Sequence, residues 1–340
     1  MKTFTEKILV YKWLIIIFVA VGTLFFGYQL KNLSINADII NSLPNSDPDA
    51  ALLKRIAQNF GGNSMGIVIL ETDDIYQREV IEHIQALTDT LSNLEGISAV
   101  TSLSNIINIS ATEEGFEVGK LLDEYRLPES EEDFQILRNK VMGNDMYRGS
   151  IVSEDGSSSL VIFTLQEGAD VKEVAKRVIQ KTEALQLPER VYFIGAPMLV
   201  TYISDLMKMD LLRLLPIAFL VIALVLFFSF KSIRGVVLPL LTAIISIVWS
   251  LGVMALLNYK MSMISNNIPI ILLAVGSAYT IHVLNRINQV RMTDPDNAIR
   301  KALDFVLITV LLAATTTIIG FISFVFGAYL SMIQDFGNYT

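Results

Sequence analysis

Residues 214–230 read LLPIAFLVIALVLFFSF, seventeen positions without a charge. A hydrocarbon core of about 30 Å takes about 20 helical residues to cross, so this run decides the class of the fold. Four further stretches pass the same test: 13–30 (WLIIIFVAVGTLFFGYQL), 235–258, 267–285, interrupted by His282, and 305–329. Core helices of a soluble protein would be shorter and would show periodic polar faces. The first stretch follows Lys2, Lys7 and Lys12 but lacks an A-x-A cleavage site, so it reads as an uncleaved anchor rather than a signal peptide.

Composition points the same way. Of 340 residues 52% are hydrophobic and 18% charged, and the mean hydropathy is +0.52. That balance argues against a soluble enzyme, a disordered regulator and a basic nucleic-acid binder. With no cysteine, disulfides, zinc–thiolate sites, thiol nucleophiles and iron–sulfur clusters are excluded. Lys and Arg near the span ends set the orientation. Lys2, Lys7 and Lys12 place the N-terminus in the cytoplasm, with the turn Lys231-Ser-Ile-Arg234 and the loop carrying Arg286, Arg291, Arg300 and Lys301. Arg213 and Lys260 fall outside. The expected layout is an N-terminus and first span (1–30), one large extracytoplasmic domain (31–209), and spans two to five (210–340). Residues 31–209 hold 15 basic and 28 acidic side chains, 15 − 28 = −13, against 11 − 6 = +5 for the rest. So acidic a domain will not seek nucleic acid or anionic lipid.

Within 31–209, Asp47-Pro48-Asp49 caps a helix to about 59 that Gly61-Gly62 ends. MGIVIL (65–70) reads as a buried strand, 75–94 as a helix and 97–100 as a short strand. Residues 148–152 and 160–165 read as two strands joined by Ser153-Glu-Asp-Gly156, followed by a helix (171–185) and a closing strand (191–194). That order predicts a ferredoxin-like α+β domain of the split-βαβ kind, with an insertion at about 103–147. The run Glu131-Glu132-Asp133 reads as a solvated helix start. His83 reads as an exposed helical histidine, and no spacing selects a catalytic or metal-binding set.

No nucleotide-driven motor is legible. Gly115-Phe-Glu-Val-Gly119-Lys120-Leu121 has neither the spacing nor the Ser or Thr of a phosphate-cradling loop. A gradient-coupled device needs an ionisable group inside the membrane, because burying one is costly. His282 is the candidate in the middle spans. Tyr279 and Asn285 share its helix face by spacing, and Thr315-Thr316-Thr317 offers hydroxyl partners, Thr316 among them. Asp304 marks the cytoplasmic entrance of span five, and Asp205 and Asp210 the outer entrance of span two. The alternative for His282 is a helix-joining hydrogen bond without a protonation cycle. Gly276 and Gly320 are expected to let helices approach closely. Pro216, Pro239 and Pro269 lie near span ends and are expected to set bends.

One anchor, a large outer domain and a cluster of spans is also a familiar layout. The chain resembles one half of a resistance–nodulation–division (RND) exporter, closest to the MMPL-like branch of hydrophobe and lipid exporters, whose layout is shared by Patched-like sterol-sensing proteins. Outside the spans the resemblance rests on Leu43-Pro44, Phe60-Gly61-Gly62, the segment 149–156 (GSIVSEDG) and Ile194-Gly195-Ala196-Pro197. In the spans it rests on 230–234 (FKSIR), Leu238-Pro239-Leu240, 276–282 (GSAYTIH) and 317–323 (TIIGFIS). It implies a porter-type outer domain and ion-gradient-driven export of hydrophobic or amphiphilic compounds from the bacterial inner membrane. No cofactor or metal is implied. Family halves carry six spans and work in pairs, so a sixth span is missing here and a second half in cis or trans, homo-oligomers included, is expected. Many family members carry an aspartate just before the tyrosine of span four, as a proton relay. Ala278 stands there, which leaves His282. The competing reading is a lipid sensor or assembly scaffold that does not transport.

Overall fold

The computed structural model describes residues 2–35, 43–44, 47–60, 64–112, 115–122, 128 and 130–340. The predicted helix end at Gly61-Gly62 and part of the link before it lie outside the described residues. In chain order the elements are α1 (Lys2–Val10), α2 (Lys12–Gln29), α3 (Pro48–Phe60), β1 (Met65–Glu71), α4 (Arg78–Ser92), β2 (Ile97–Thr101), β3 (Ile107–Thr112) and β4 (Gly115–Lys120). There follow α5 (Glu131–Met142), β5 (Ser158–Leu165), α6 (Val171–Ala184), β6 (Arg190–Gly195), α7 (Ala196–Phe230), α8 (Ile233–Leu256), α9 (Ile268–Arg291), α10 (Ala298–Gly327) and α11 (Ser331–Tyr339). The chain divides into two compact units, Ala51–Ile203 and Met1–Ala50 with Ser204–Thr340.

The first unit is built on a four-stranded antiparallel sheet in the order β2-β5-β1-β6. Period-two alternation sends Gly66, Val68 and Leu70 of β1 to the buried face, beside Val161 and Phe163 of β5. Helices α4 and α6 cover that face because their apolar residues recur at helical spacing: Val80, Ile84, Leu87 and Leu91 on one, Val174 and Val178 on the other. Burying a side chain of this kind contributes about 1.5–3 kcal/mol. Asp170 starts α6 by accepting the Lys172 and Glu173 amides, each at 3.0 Å. The acidic run at 131–133 is a helix start, closed by a reciprocal cap between Ser130 and Asp133. The insertion between β2 and β5 carries the hairpin β3–β4 as well as α5.

One strand expectation fails. Residues 148–152 form a turn rather than a strand. The Tyr147 carbonyl collects the amides of Ser150, Ile151 and Val152 (3.2, 2.9 and 3.0 Å), and Gly149 sits at φ +79°. Local bonds therefore satisfy the backbone groups a ladder would need, and only single bridges, Arg148–Val152 and Val152–Ser159, remain. The turn that follows is built as read. Asp155 accepts from the hydroxyls of Ser153 (2.5 Å) and Ser157 (2.7 Å) and from the Ser157 amide (3.0 Å). The Ser153 hydroxyl leads these donors, and together they pull the Asp155 carboxyl down to about 2 from 3.8. A lowered folded value means the stabilisation is present above pH 3.8 and fades as pH falls toward 2. Amide protection at Ser157, followed by hydrogen exchange, is expected to drop across that window. In Asp155→Asn it should be low and flat from pH 7 downward.

In the second unit five helices are long and apolar enough to cross a membrane: α2, extended to Asn32, α7, α8, α9 with its preceding turn from Ser265, and α10. Helix α7 breaks at Lys231, whose φ of +46° ends it, and Ser232 caps α8 through the Gly235 amide at 3.2 Å. Helix α8 is the hub, with α2 and α9 against it; α10 packs on α9 and α11 on α10. Helix α7 joins through an apolar cluster of Leu226, Leu240, Ala243 and Leu273. Two glycines set the α2–α8 contact. A Cβ on Gly252 would lie 2.5 Å from Phe26 Cβ, and one on Gly22 would lie 2.8 Å from the Trp249 ring. Trp249 Nε1 donates to the Thr23 hydroxyl at 3.0 Å, with the Phe18 and Phe26 rings beside the indole.

Candidate functional site

Helix α9 does not stop where its uncharged run does. It continues to Arg291, so residues 279, 282, 285, 286 and 289 form one polar stripe at three- and four-residue steps. The stripe carries Tyr279, His282, Asn285, Arg286 and Gln289, and with Phe305 and Thr309 of α10 it lines a groove of about 400 Å³. Among the described residues no carboxylate lines the groove. Ala278, at the position before the tyrosine, also faces it.

The expected candidates separate on inspection. Tyr279 is tied to α10, its hydroxyl 2.9 Å from that of Thr317. Thr317 donates to the Ala313 carbonyl at 3.0 Å, so with that proton spent Tyr279 is the donor between the two hydroxyls. Thr316 donates to the same Ala313 carbonyl at 2.8 Å and does not bond Tyr279. Thr317 is therefore the residue of the threonine run that meets the stripe. Asp304 does not line the groove: it accepts the Thr5 hydroxyl at 2.6 Å and, with the pair Arg300–Glu6, tethers α1 to the start of α10. His282 stands exposed in the groove, with no hydrogen bond to its ring among the described residues. Arg286 is a participant the sequence reading left in the loop. Its guanidinium carbon sits 4.0 Å from the centroid of the Phe305 ring, one terminal nitrogen donates to Gln289 at 3.1 Å, and its Nε is buried without a partner. The four-residue step from His282 was the signal that could have found it.

Neighbouring contacts brace the stripe. At Gly276 α9 lies against α8, and a Cβ there would make ordinary contact with the Ala243 backbone at 3.4 Å, so the approach does not depend on glycine. Thr242 and Thr280 hydroxyls join the same two helices at 2.8 Å. Gly320 does not set a close approach either: a Cβ there would meet no atom within 4 Å, because that face of α10 carries no neighbouring helix among the described residues. The described residues hold no group of three metal-ligating side chains.

The sequence profile of the MMPL family matches residues 41–339, nearly the whole chain and all of α7 to α10. The chain belongs to the MMPL family. It is a multi-pass membrane protein of a family of RND-type transporters, as the motifs in 149–156, 276–282 and 317–323 indicated. A Methanocaldococcus jannaschii protein, MJ1562, whose name describes it as a membrane protein, is 24% identical over 342 residues, covering 96% of this chain and 84% of its own length. In this MMPL chain the groove beside α9 is lined by basic, hydroxyl and amide groups, with Ala278 at the position before Tyr279.

Proposed function

We propose that this chain is one half of an ion-gradient-driven exporter that moves hydrophobic or amphiphilic compounds, lipids included, out of the cytoplasmic membrane. In this reading residues 31–209 stand outside the cytoplasm and form a ferredoxin-like, porter-type domain. The strand order β2-β5-β1-β6, with a helix after the first and third strands of the sheet in sequence, supports it. Spans two to five carry the coupling stripe.

The observation that carries the proposal is the polar stripe from Tyr279 to Gln289, in which His282, Asn285 and Gln289 are exposed. An ionisable group facing lipid at mid-membrane costs about 2.5–3.5 kcal/mol on insertion scales, so such groups face protein or a water-filled path. His282, within the span and exposed, therefore calls for a covering surface, which a second half supplies. That second half is supplied in cis or in trans, a second copy of this chain included.

His282 is the group we assign to ion coupling, with Tyr279 and Thr317 holding the α9–α10 geometry around it. In proteoliposomes loaded with a fluorescent phospholipid analogue, an imposed proton or sodium gradient should drive export. His282→Ala should abolish it while the protein remains in the membrane. Full export by that variant would remove His282 from the mechanism. A lipid-sensing or scaffold role is favoured by one observation, the absence of a carboxylate beside Tyr279, where Ala278 stands. An ionophore separates the two readings: an exporter's flux stops, whereas a sensor's ligand binding is unchanged.

A further inference from the structure

On the outer side of the α7–α8 pair a second groove, of about 800 Å³, runs from Leu215 and Pro216 down to Phe227 and Ile233. It is lined by apolar side chains alone, with Ala223 and Val236 packed against the cluster beneath. Phe219 and Phe227 flank the small side chain of Ala223 along α7, so the groove is a shallow, open trough with its floor at Ala223. Residues 215–227 span about 18 Å of helix at 1.5 Å per residue, close to the roughly 15 Å depth of one leaflet of a 30 Å core. At its lower end stand Lys231 and Arg234, both exposed, and neither side chain has an ion-pair or hydrogen-bond partner among the described residues. A long apolar trough with two free cations at its lower end has the polarity of an anionic lipid.

We infer that this groove holds one anionic glycerophospholipid from the leaflet on the Lys231–Arg234 side, its chain along Ala223 and its phosphate at Lys231 and Arg234. The site lies apart from the His282 stripe and does not depend on the export reading. A free phosphate would use the cations but not the trough, and a neutral hydrophobe the trough but not the cations.

The test is native mass spectrometry of the full chain released from mixed phosphatidylglycerol and phosphatidylcholine nanodiscs. Wild type should retain one phosphatidylglycerol per chain with about 30-fold preference, near 2 kcal/mol for two basic residues. The double variant Lys231→Ala/Arg234→Ala should lose the preference, and Ala223→Trp should lose retention of both lipids. Lys7→Ala/Lys12→Ala, whose basic residues lie on the same side but off the groove, should behave as wild type. Equal loss in that control would mean that general surface charge selects the lipid, and would overturn the inference. Phosphatidylglycerol with a photoreactive chain tests wild type without any substitution. Cross-links should concentrate on 215–237; labels spread evenly over α2 and α10 would also overturn it.

Discussion

Phe163→Ala is expected to lower the stability of the Ala51–Ile203 unit by about 3–5 kcal/mol, the usual range for removing a fully buried phenylalanine. Phe163 is 0% exposed, at the centre of β5, opposite Gly66 on β1 and Val100 on β2. Its ring lies over Gly66, so closely that a Cβ there would fall 2.2 Å from Cζ. The ring therefore replaces the side chain that Gly66 lacks, and losing it opens a cavity against α4 and α6. Both tryptophans, Trp13 and Trp249, are in the other unit, so the readout is native-state hydrogen exchange at residues 65–71 and 158–165. A loss below 1 kcal/mol would mean that the ring is not the keystone described. Gly66→Ala alone should also destabilise, because the methyl and the ring claim the same space. Combined with Phe163→Ala it should cost less than the sum, since the ring it collides with is gone.

Gly252→Val is the second large effect, and it acts in the membrane. The 2.5 Å approach to Phe26 Cβ comes with 2.9 Å to the Phe26 backbone, so a side chain at 252 cannot be accommodated by a rotamer change. Helix α2 must move away, and overpacking of this kind costs about 1–3 kcal/mol or more. The cysteine-free sequence offers a clean reporter. Gly27 and Val248 are adjacent across the interface, a Cβ at 27 falling 3.9 Å from Val248 Cγ1, so cysteines at the two positions lie within reach of an oxidative cross-link. The pair Gly27→Cys/Val248→Cys should cross-link efficiently under mild oxidation, and adding Gly252→Val should suppress most of it. Undiminished cross-linking would show that α2 tolerates the bulk.

These contacts show where sequence reasoning reaches and where it stops. The continuous apolar run at 65–70 and the spacing of Val80, Ile84, Leu87 and Leu91 are local properties, and they assign β1 and α4 directly. The spans are legible for the same reason: hydropathy is a sum over neighbours. Residues 148–152 mislead because the turn signal at 153–156 implies a strand on each side of it, whereas short-range bonds to Tyr147 form a glycine-centred turn there. Among the threonines at 315–317 each residue is rotated about 100° from the last, so only the position of α9 decides that Thr317 meets Tyr279. Arg286 ends a hydropathy window, but a charge does not end a helix, and the stripe continues past it. Gly252 and Gly320 are equivalent as letters; one faces Phe26 and the other faces open space, a difference made by neighbours distant in sequence.

The bond between Trp249 and Thr23 closes a loop of 226 residues. At about 5–20 residues per second, synthesis reaches Trp249 about 11–45 s after Thr23 has emerged. During that wait α2 has no packing partner from α8, yet its one mid-helix hydroxyl is already content, because Thr23 donates to the Val19 carbonyl at 2.7 Å. What remains is an acceptor lone pair, and the late-arriving indole brings only a donor. The first helix of the chain is thus chemically equipped to arrive early and be joined last.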